Sequence, residues 1–297
     1  MALFGIINVN KPKGLTSHDV VSRLRKILKI KQIGHTGTLD PMATGVLPIC
    51  VGKATKLIQY LDNSKAYRAY IKLGMKSDTY DIEGQITEEN KVSFDLDKIQ
   101  SILTEFKGEI TQKPPMYSAV HYKGKRLYEY ARKNIEILDI PERKVFINKI
   151  ELIDVLDKNS EHPVLIVDIV CSAGTYIRSI ANDAGLKLGY GALLSDLART
   201  KAGKFFIDNC VSLEDIKESY ETGNIDNIII NPINILDIKQ FKIDESLLEK
   251  IKNGQPLRIQ DNNNFSENEK VLLVLNNSLI AVSEFREDKI FPTNVFI

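Results

Sequence analysis

Cysteine is scarce in this sequence, and every familiar metal-binding pattern is missing. Only Cys50, Cys171 and Cys210 occur. Their odd number and wide spacing, with no CxxC pair, exclude a disulfide framework and a structural zinc site as the organising element. The histidines His18, His35, His121 and His162 form no HxH or HExxH pattern, so no metal is expected. No segment approaches about 18 consecutive apolar residues, which argues against a membrane-spanning helix. The opening run MALFGIINVNKPKG lacks the apolar core of a secretory signal, and a cytoplasmic protein is expected. Internal repeats and low-complexity tracts are also missing. At 297 residues the chain is longer than one typical domain, so two domains, or one with an appendage, are expected.

Net charge is only +1, but it is unevenly spread. Residues 1–76 carry thirteen Lys/Arg against Asp19, Asp40 and Asp62, whereas residues 205–297 carry nine Lys/Arg against sixteen Asp/Glu. Such asymmetry fits a basic binding face on the N-terminal part and an acidic C-terminal part with another task.

Periodicity sets out the elements. FGIINV reads as a strand and NKPKG as a turn, with Ser17 placed to cap a helix whose Val20, Val21, Leu24, Ile27 and Leu28 share one face. Ala54, Leu57, Ile58 and Leu61 recur at helical spacing. AYRAYIKLG alternates, with Tyr67, Ala69, Ile71 and Leu73 on one side. SDTYDIEGQ is turn-rich, DLDKIQSILTEF is an amphipathic helix, and KPPMYSAVHYKGKRLYEYARK suits a binding loop leading into a helix. VLIVDIVC reads as a buried strand, followed by a helix over TYIRSIANDAGLKLG that Gly189 closes. Strands and helices mix without regular βαβ alternation, so the fold class is α+β. A boundary is expected near residues 230–241, dividing the chain into 1–235 and 241–297. The second part reads as a helix closed by Gly254 and short strands around VLLVL, LIAVSEF and NVFI, with a loop over NNNFSENE.

The stretch GHTGTLDPMATGVLPICVGKATK (34–56) is the most constrained in the chain. It is not a phosphate loop, because six residues separate Gly45 from Gly52 and alanine follows Lys53. Asp40 stands alone in it as an acid, flanked by His35, Lys53 and Lys56. Pro41 biases Asp40 toward an extended backbone, and the glycines allow sharp turns on both sides. An Asp-Pro turn is one reading. An ionised, fixed carboxylate acting as nucleophile, base or electrostatic stabiliser is the other.

This stretch resembles the signature of the TruB family of tRNA pseudouridine synthases. NKPKGLTSHDVV, KAYRAYIKLG, PPMYSAVHYKGKRLYEYAR, CSAGTYIRSIANDAG and SDLARTKAG match in the same order, so the likeness covers about residues 4–205. Beyond that it loosens, with KNGQPLR as the best landmark. The form LDPMATGVLP is similar to stand-alone bacterial members rather than to guide-RNA-dependent relatives.

The resemblance implies a mixed, mainly antiparallel central sheet followed by a small PUA-like β-barrel over 241–297. It implies that the chain isomerises uridine 55 in the T loop of tRNA, working as a monomer without cofactor, metal or obligate protein partner. A non-catalytic RNA-binding or tRNA-folding protein on the same scaffold, or a guide-dependent subunit, are the alternatives. By the same resemblance Asp40 is the catalytic aspartate, Arg178 its partner, and Tyr67 the ring that stacks on the target base. Leu197 lines the pocket, His35 fills the gap left in the RNA, and Lys56 and Tyr176 lie at the pocket side. Tyr117, Tyr122, Lys123, Lys125 and Arg126 form a basic, aromatic loop suited to RNA. Because a basic face binds RNA by displacing counterions, affinity for a T-arm hairpin should fall steeply between low and physiological salt. A filter-binding titration that finds salt-insensitive affinity would refute the basic-face reading.

Overall fold

The computed structural model describes residues 3–133, 135, 137, 139–258 and 265–297. Strand β1 (Gly5–Lys11) is almost wholly buried. Both of its faces are covered: Ile7 and Val9 point into the main core, Ile6 into a second one. Helix α1 (Ser17–Leu28) packs Val20, Val21, Leu24 and Leu28 inward, as its spacing predicts. Its cap is Thr16 rather than Ser17. The Thr16 hydroxyl accepts from the Asp19 amide at 3.0 Å, and the Asp19 carboxylate accepts from the Thr16 amide at 2.9 Å, a closed capping box. Ser17 is thereby left for a different contact, described below.

The central sheet then assembles from β2 (Ile33–His35), β3 (Thr44–Val51), β4 (Lys65–Leu73), β5 (Gly108–Gln112), β6 (Arg143–Leu156), β7 (Val164–Cys171), β8 (Ala192–Ala202) and β9 (Phe205–Phe206). Its order is β1-β3-β8-β4-β7-β6-β5, with β2 also paired to β3 and β9 to β8. All pairings are antiparallel except β3 with β8, which run parallel where Thr44 faces Ala198 and Gly45 faces Arg199. This is the mixed, mainly antiparallel α+β sheet expected. Strand β7 is covered on one face only: its burial alternates, and on the open face Asp168 forms a bidentate pair with Arg68 of β4 at 2.8 Å. Helices α2 (Leu96–Thr104) and α4 (Ile177–Leu188) cover part of the sheet, and Gly189 closes α4 in the left-handed conformation. Between β5 and β6 a short hairpin (His121–Tyr122 with Lys125–Arg126) leads into α3 (Leu127–Ala131). The segment Gly52–Tyr60 is a 3-10 helix that buries Ala54 and Leu57. Helix α5 (Leu213–Glu221) packs on α1.

The C-terminal sheet contains β10 (Lys239–Lys242), β11 (Leu257–Arg258), β12 (Lys270–Leu275), β13 (Ser278–Arg286) and β14 (Lys289–Val295) in the order β10-β12-β13-β14-β11. Among the described residues its two edge strands do not pair with each other, so it is an open half-barrel that fits the PUA-like fold. Helix α6 (Leu248–Lys252) follows a 3-10 turn, and Gly254 lies just beyond it at φ 68°. Of the loop expected over 262–269, residues 262–264 lie outside the described residues, and 265–269 form neither helix nor strand. This sheet packs on the back of β1 and β3, where Leu272, Val274, Leu279, Val282 and Phe296 share one core with Ile6, Val46 and Cys50. The Lys53 amine reinforces the junction by donating to the Phe296 and Ile297 carbonyls at 3.0 and 2.9 Å. Among the described residues no helix is long and apolar enough to cross a membrane.

The parallel contact between β3 and β8 depends on Gly45. It sits at φ 97°, and a Cβ there would lie 2.3 Å from the Arg199 carbonyl oxygen. Gly45→Ala therefore meets both a conformational and a steric penalty. It should lower unfolding free energy by more than about 1 kcal/mol in urea titrations; an unchanged midpoint would show that the two strands can part without cost.

Candidate active site

Asp40 lies in a loop whose backbone is pinned from several directions. The Ser17 hydroxyl accepts from the Leu39 amide at 2.8 Å and lies 3.3 Å from the Leu39 carbonyl. The Thr36 amide donates to Pro48 and the Gly14 amide to Pro41, at 3.1 and 2.8 Å. Two buried cations hold the carbonyl oxygens. The Lys11 amine donates to Pro12, Pro41 and Ala43 at 3.0, 3.2 and 2.5 Å. Arg199, only 1% exposed, donates from Nε to Val46 at 2.7 Å, from Nη1 to Thr38 at 3.3 Å and from Nη2 to Gly37 at 3.2 Å. Buried backbone acceptors need donors, and here side-chain cations supply them.

From α4, Arg178 reaches across to Asp40. Its Nη2 donates to Oδ1 at 3.0 Å and its Nε lies 2.9 Å from Oδ2, a two-point grip on the carboxylate. One aligned hydrogen bond and a close ion pair fix orientation as well as charge, although the Nε–H itself is not aligned on an acceptor. The guanidinium is 6% exposed, whereas a third of the Asp40 side-chain surface is open. The remaining donors bind Asp81 Oδ2 and the Thr79 carbonyl at 3.2 Å each, through Nη1, and the Tyr117 carbonyl at 2.9 Å, through Nη2. One arginine is thus shared by two carboxylates.

Asp81 has no counterpart in the sequence reading, where SDTYDIEGQ is only turn-rich. Its Oδ1 accepts from the Thr79 hydroxyl at 2.6 Å and the Glu83 amide at 3.1 Å. Its neighbours dock on β8, with Leu194 donating to Tyr80 and Ile82 to Leu194 at 3.0 Å each. No local pattern marks this aspartate, because its function depends on a contact 97 residues away.

The other expected residues fall into two groups. Tyr67 and Leu197 are buried on β4 and β8 in the main core, together with Leu39. The Tyr67 hydroxyl lies within electrostatic reach of Arg199 and Asp40. Tyr176 stands half-buried at the start of α4, and its amide and carbonyl bond the Gln112 side chain at 3.0 and 3.2 Å. His35 ends β2 with its Nδ1 buried and unpartnered. Lys56, by contrast, is exposed on the 3-10 helix, and Lys53 is taken by the C-terminal segment. The charges bearing on Asp40 come from Arg178, Asp81 and Lys11 instead, so the sequence-local picture of flanking Lys53 and Lys56 is corrected. Lys123, Lys125 and Arg126 are exposed on the hairpin. Lys123 and Gly124, both at positive φ, form its tight turn, and Lys123 and Arg126 lie against the Tyr122 and Tyr128 rings.

Burial pushes the Asp40 carboxyl above the usual carboxylate range; Arg178 opposes that shift and the Asp81 charge adds to it. Burial pulls the Lys11 amine down to about 8. His35 is lowered by burial and by Arg199, which leaves its ring neutral at pH 7. Burial raises the Tyr67 hydroxyl, so it stays protonated. Among the described residues no group of three or more His, Cys, Asp or Glu side chains is placed to hold a metal ion.

Two contiguous family matches cover residues 25–235. Residues 25–177 match TruB family pseudouridylate synthase (N terminal domain), and 178–235 match the tRNA pseudouridylate synthase B C-terminal domain. The tRNA pseudouridine synthase B of Clostridium tetani is 47% identical over 253 residues, 84% of each chain. That of Caldanaerobacter subterraneus subsp. tengcongensis is 44% identical over 300 residues, the full length of both. Among solved structures, a chain of an H/ACA RNP bound to a substrate RNA containing 2'-deoxyuridine aligns with TM-score 0.71 at 26% identity, covering 99% of this chain and 85% of that one. A chain of a Cbf5-Nop10-Gar1 complex aligns with the same score and identity, covering 99% and 84%.

The shared arginine makes a pH-dependent prediction. If catalysis needs ionised Asp40, the rate rises with pH through the raised Asp40 pKa. Asp81→Asn removes one negative charge, lowers that pKa and moves the acid limb to lower pH. It also loosens Arg178, so the single-turnover rate at the plateau should fall on the order of tenfold to a hundredfold. A pH–rate profile with its acid limb unmoved would separate Asp81 from Asp40.

Proposed function

The chain belongs to the TruB family of pseudouridylate synthases, and on that footing we propose that it isomerises uridine to pseudouridine at position 55 in the T loop of tRNA. The observation that carries this reading is the partly open Asp40 carboxylate, oriented by a buried guanidinium and set in a loop that cannot easily move. The reaction breaks the C1′–N1 bond, turns the base, and forms a C1′–C5 bond; C5 loses its proton and N1 gains one. Atoms and electrons balance without an oxidant, a reductant or a group donor. Attack at C6, attack at C1′ and abstraction of a ribose proton each start from an ionised carboxylate beside ribose and base.

The uridine must leave its stack to reach Asp40, which costs a few kcal/mol and least in a loop. Tyr67 supplies the ring that packs on the extruded base, Leu197 the apolar wall, and neutral His35 the stacking surface that replaces it in the RNA. Tyr176 borders the pocket, its backbone tied to the Gln112 side chain. Lys56 and the Lys123–Arg126 hairpin contact RNA outside the chemical centre, where exposed cations over aromatic rings suit phosphate and base contacts. Residues 1–235 form the catalytic unit and 241–297 an RNA-binding unit. The protein works in the cytoplasm as a monomer, without guide RNA, cofactor or obligate protein partner. The relatives named tRNA pseudouridine synthase B support this over the guide-dependent alternative.

The deciding assay is tritium release from C5-labelled uridine in a T-arm hairpin, since isomerisation leaves the mass unchanged. The wild type should release the label stoichiometrically and Asp40→Asn none. Equal release by both would remove Asp40 from the mechanism; release by neither would favour a protein that only binds or folds tRNA.

A further inference from the structure

We propose that Lys65, backed by Arg199, receives a backbone phosphate of the RNA next to the extruded uridine. The inference rests on the tRNA reading above and adds a subsite to it. Lys65 opens β4 two residues before Tyr67, so the two side chains share one face of the sheet. The residue is 7% exposed and among the described residues its amine makes no hydrogen bond or ion pair, yet its Nζ is not one of the fully buried polar atoms that lack a partner, so the tip is open to an incoming group. A buried charge is ordinarily paired, because leaving it alone costs several kcal/mol.

The surroundings supply a counter-charge only through space, with no ion pair to the Lys65 amine among the described residues. Arg199 is a second buried cation whose hydrogen bonds go to neutral groups, the Gly37, Thr38 and Val46 carbonyls. The acid that acts on it is Asp62, which keeps its charge but whose oxygens are held by the Ser64 amide and hydroxyl at 2.8 and 2.7 Å. The remaining titratable neighbour is Cys171, whose thiol burial pushes up to about 11, so it carries no charge at neutral pH. Burial, reinforced by Arg199, pulls Lys65 down to about 8, in keeping with an amine that lacks a partner.

Position identifies the anion. The Lys65 Cε lies 3.5 Å, and Arg199 Nη1 3.7 Å, from where a Gly37 Cβ would stand. Both cations therefore back the turn three residues before Asp40, and the glycine leaves room over them. The Gly37 and Thr38 amides donate to no backbone acceptor among the described residues, so two further donors border the same turn. A uridine whose ribose meets Asp40 carries its phosphates within one nucleotide of this point. A phosphodiester oxygen supplies the ion-pair partner that Lys65 lacks.

The test uses the full chain in an Asp40→Asn background, so that the hairpin is bound but not turned over. Lys65→Met should bind the T-arm hairpin about tenfold more weakly and lower the slope of log affinity against log salt by about one. Its melting temperature should stay level or rise, because a largely buried cation without an ion pair has been removed, and Lys65→Arg should keep most of the affinity. A hairpin with a neutral methylphosphonate at the linkage beside the target uridine should weaken the parent protein but not Lys65→Met. Unchanged affinity and slope in Lys65→Met would overturn the proposal. So would a lowered melting temperature with an unchanged slope, the behaviour of a lysine needed only for packing. If the parent protein does not bind the hairpin at all, the tRNA reading falls and this subsite with it.

Discussion

One guanidinium held between two carboxylates is the contact on which the site depends. Arg178 grips Asp40 at 3.0 and 2.9 Å and Asp81 at 3.2 Å, and it is itself almost fully buried. A buried arginine needs acceptors, and here those of its Nη atoms come from a loop, a turn and the segment leading to the Tyr122–Lys125 hairpin. Asp40, the turn that carries Asp81, and Tyr117 are therefore located relative to one side chain. Removing any one of them leaves a charge or a donor stranded, which is why the arrangement holds as a unit.

A second device stiffens the loop from behind. Lys11 and Arg199 bind its carbonyl oxygens, so the segment from Gly37 to Ala43 is shaped by side chains rather than by a ladder of strand hydrogen bonds. A loop fixed in this way loses little freedom when substrate arrives, and the Asp40 carboxylate is aligned beforehand.

Much of this was legible in the sequence, and the failures share a cause. The alternation in AYRAYIKLG, the apolar face of α1 and the Gly189 stop all come from local chemistry, and each lies where periodicity puts it. Asp40 and Arg178 were recognisable from their motifs, and their contact needed only confirmation of geometry. Asp81 was invisible because its partner is far away in the chain. Lys11, Lys65 and Arg199 were overlooked for another reason: charged residues are assumed to face water. Each in fact continues a period-two apolar face: Lys11 after Ile7 and Val9, Lys65 before Tyr67 and Ala69, Arg199 after Leu197. A cation in register with a buried face is a signal in its own right. Lys53 and Lys56 show the converse, since closeness in sequence to Asp40 does not bring them to it.

The apolar contact between the C-terminal sheet and the back of β1 and β3 has a metric consequence. The strand whose front leads into the Asp40 loop is also the floor on which the second sheet stands, through Val46 and Cys50 on one side and Leu272 and Val282 on the other. No hinge of free linker separates them there. Any molecule that touches the far sheet while presenting a nucleotide to Asp40 must span a set distance, so the body of the protein acts as a gauge as well as a catalyst.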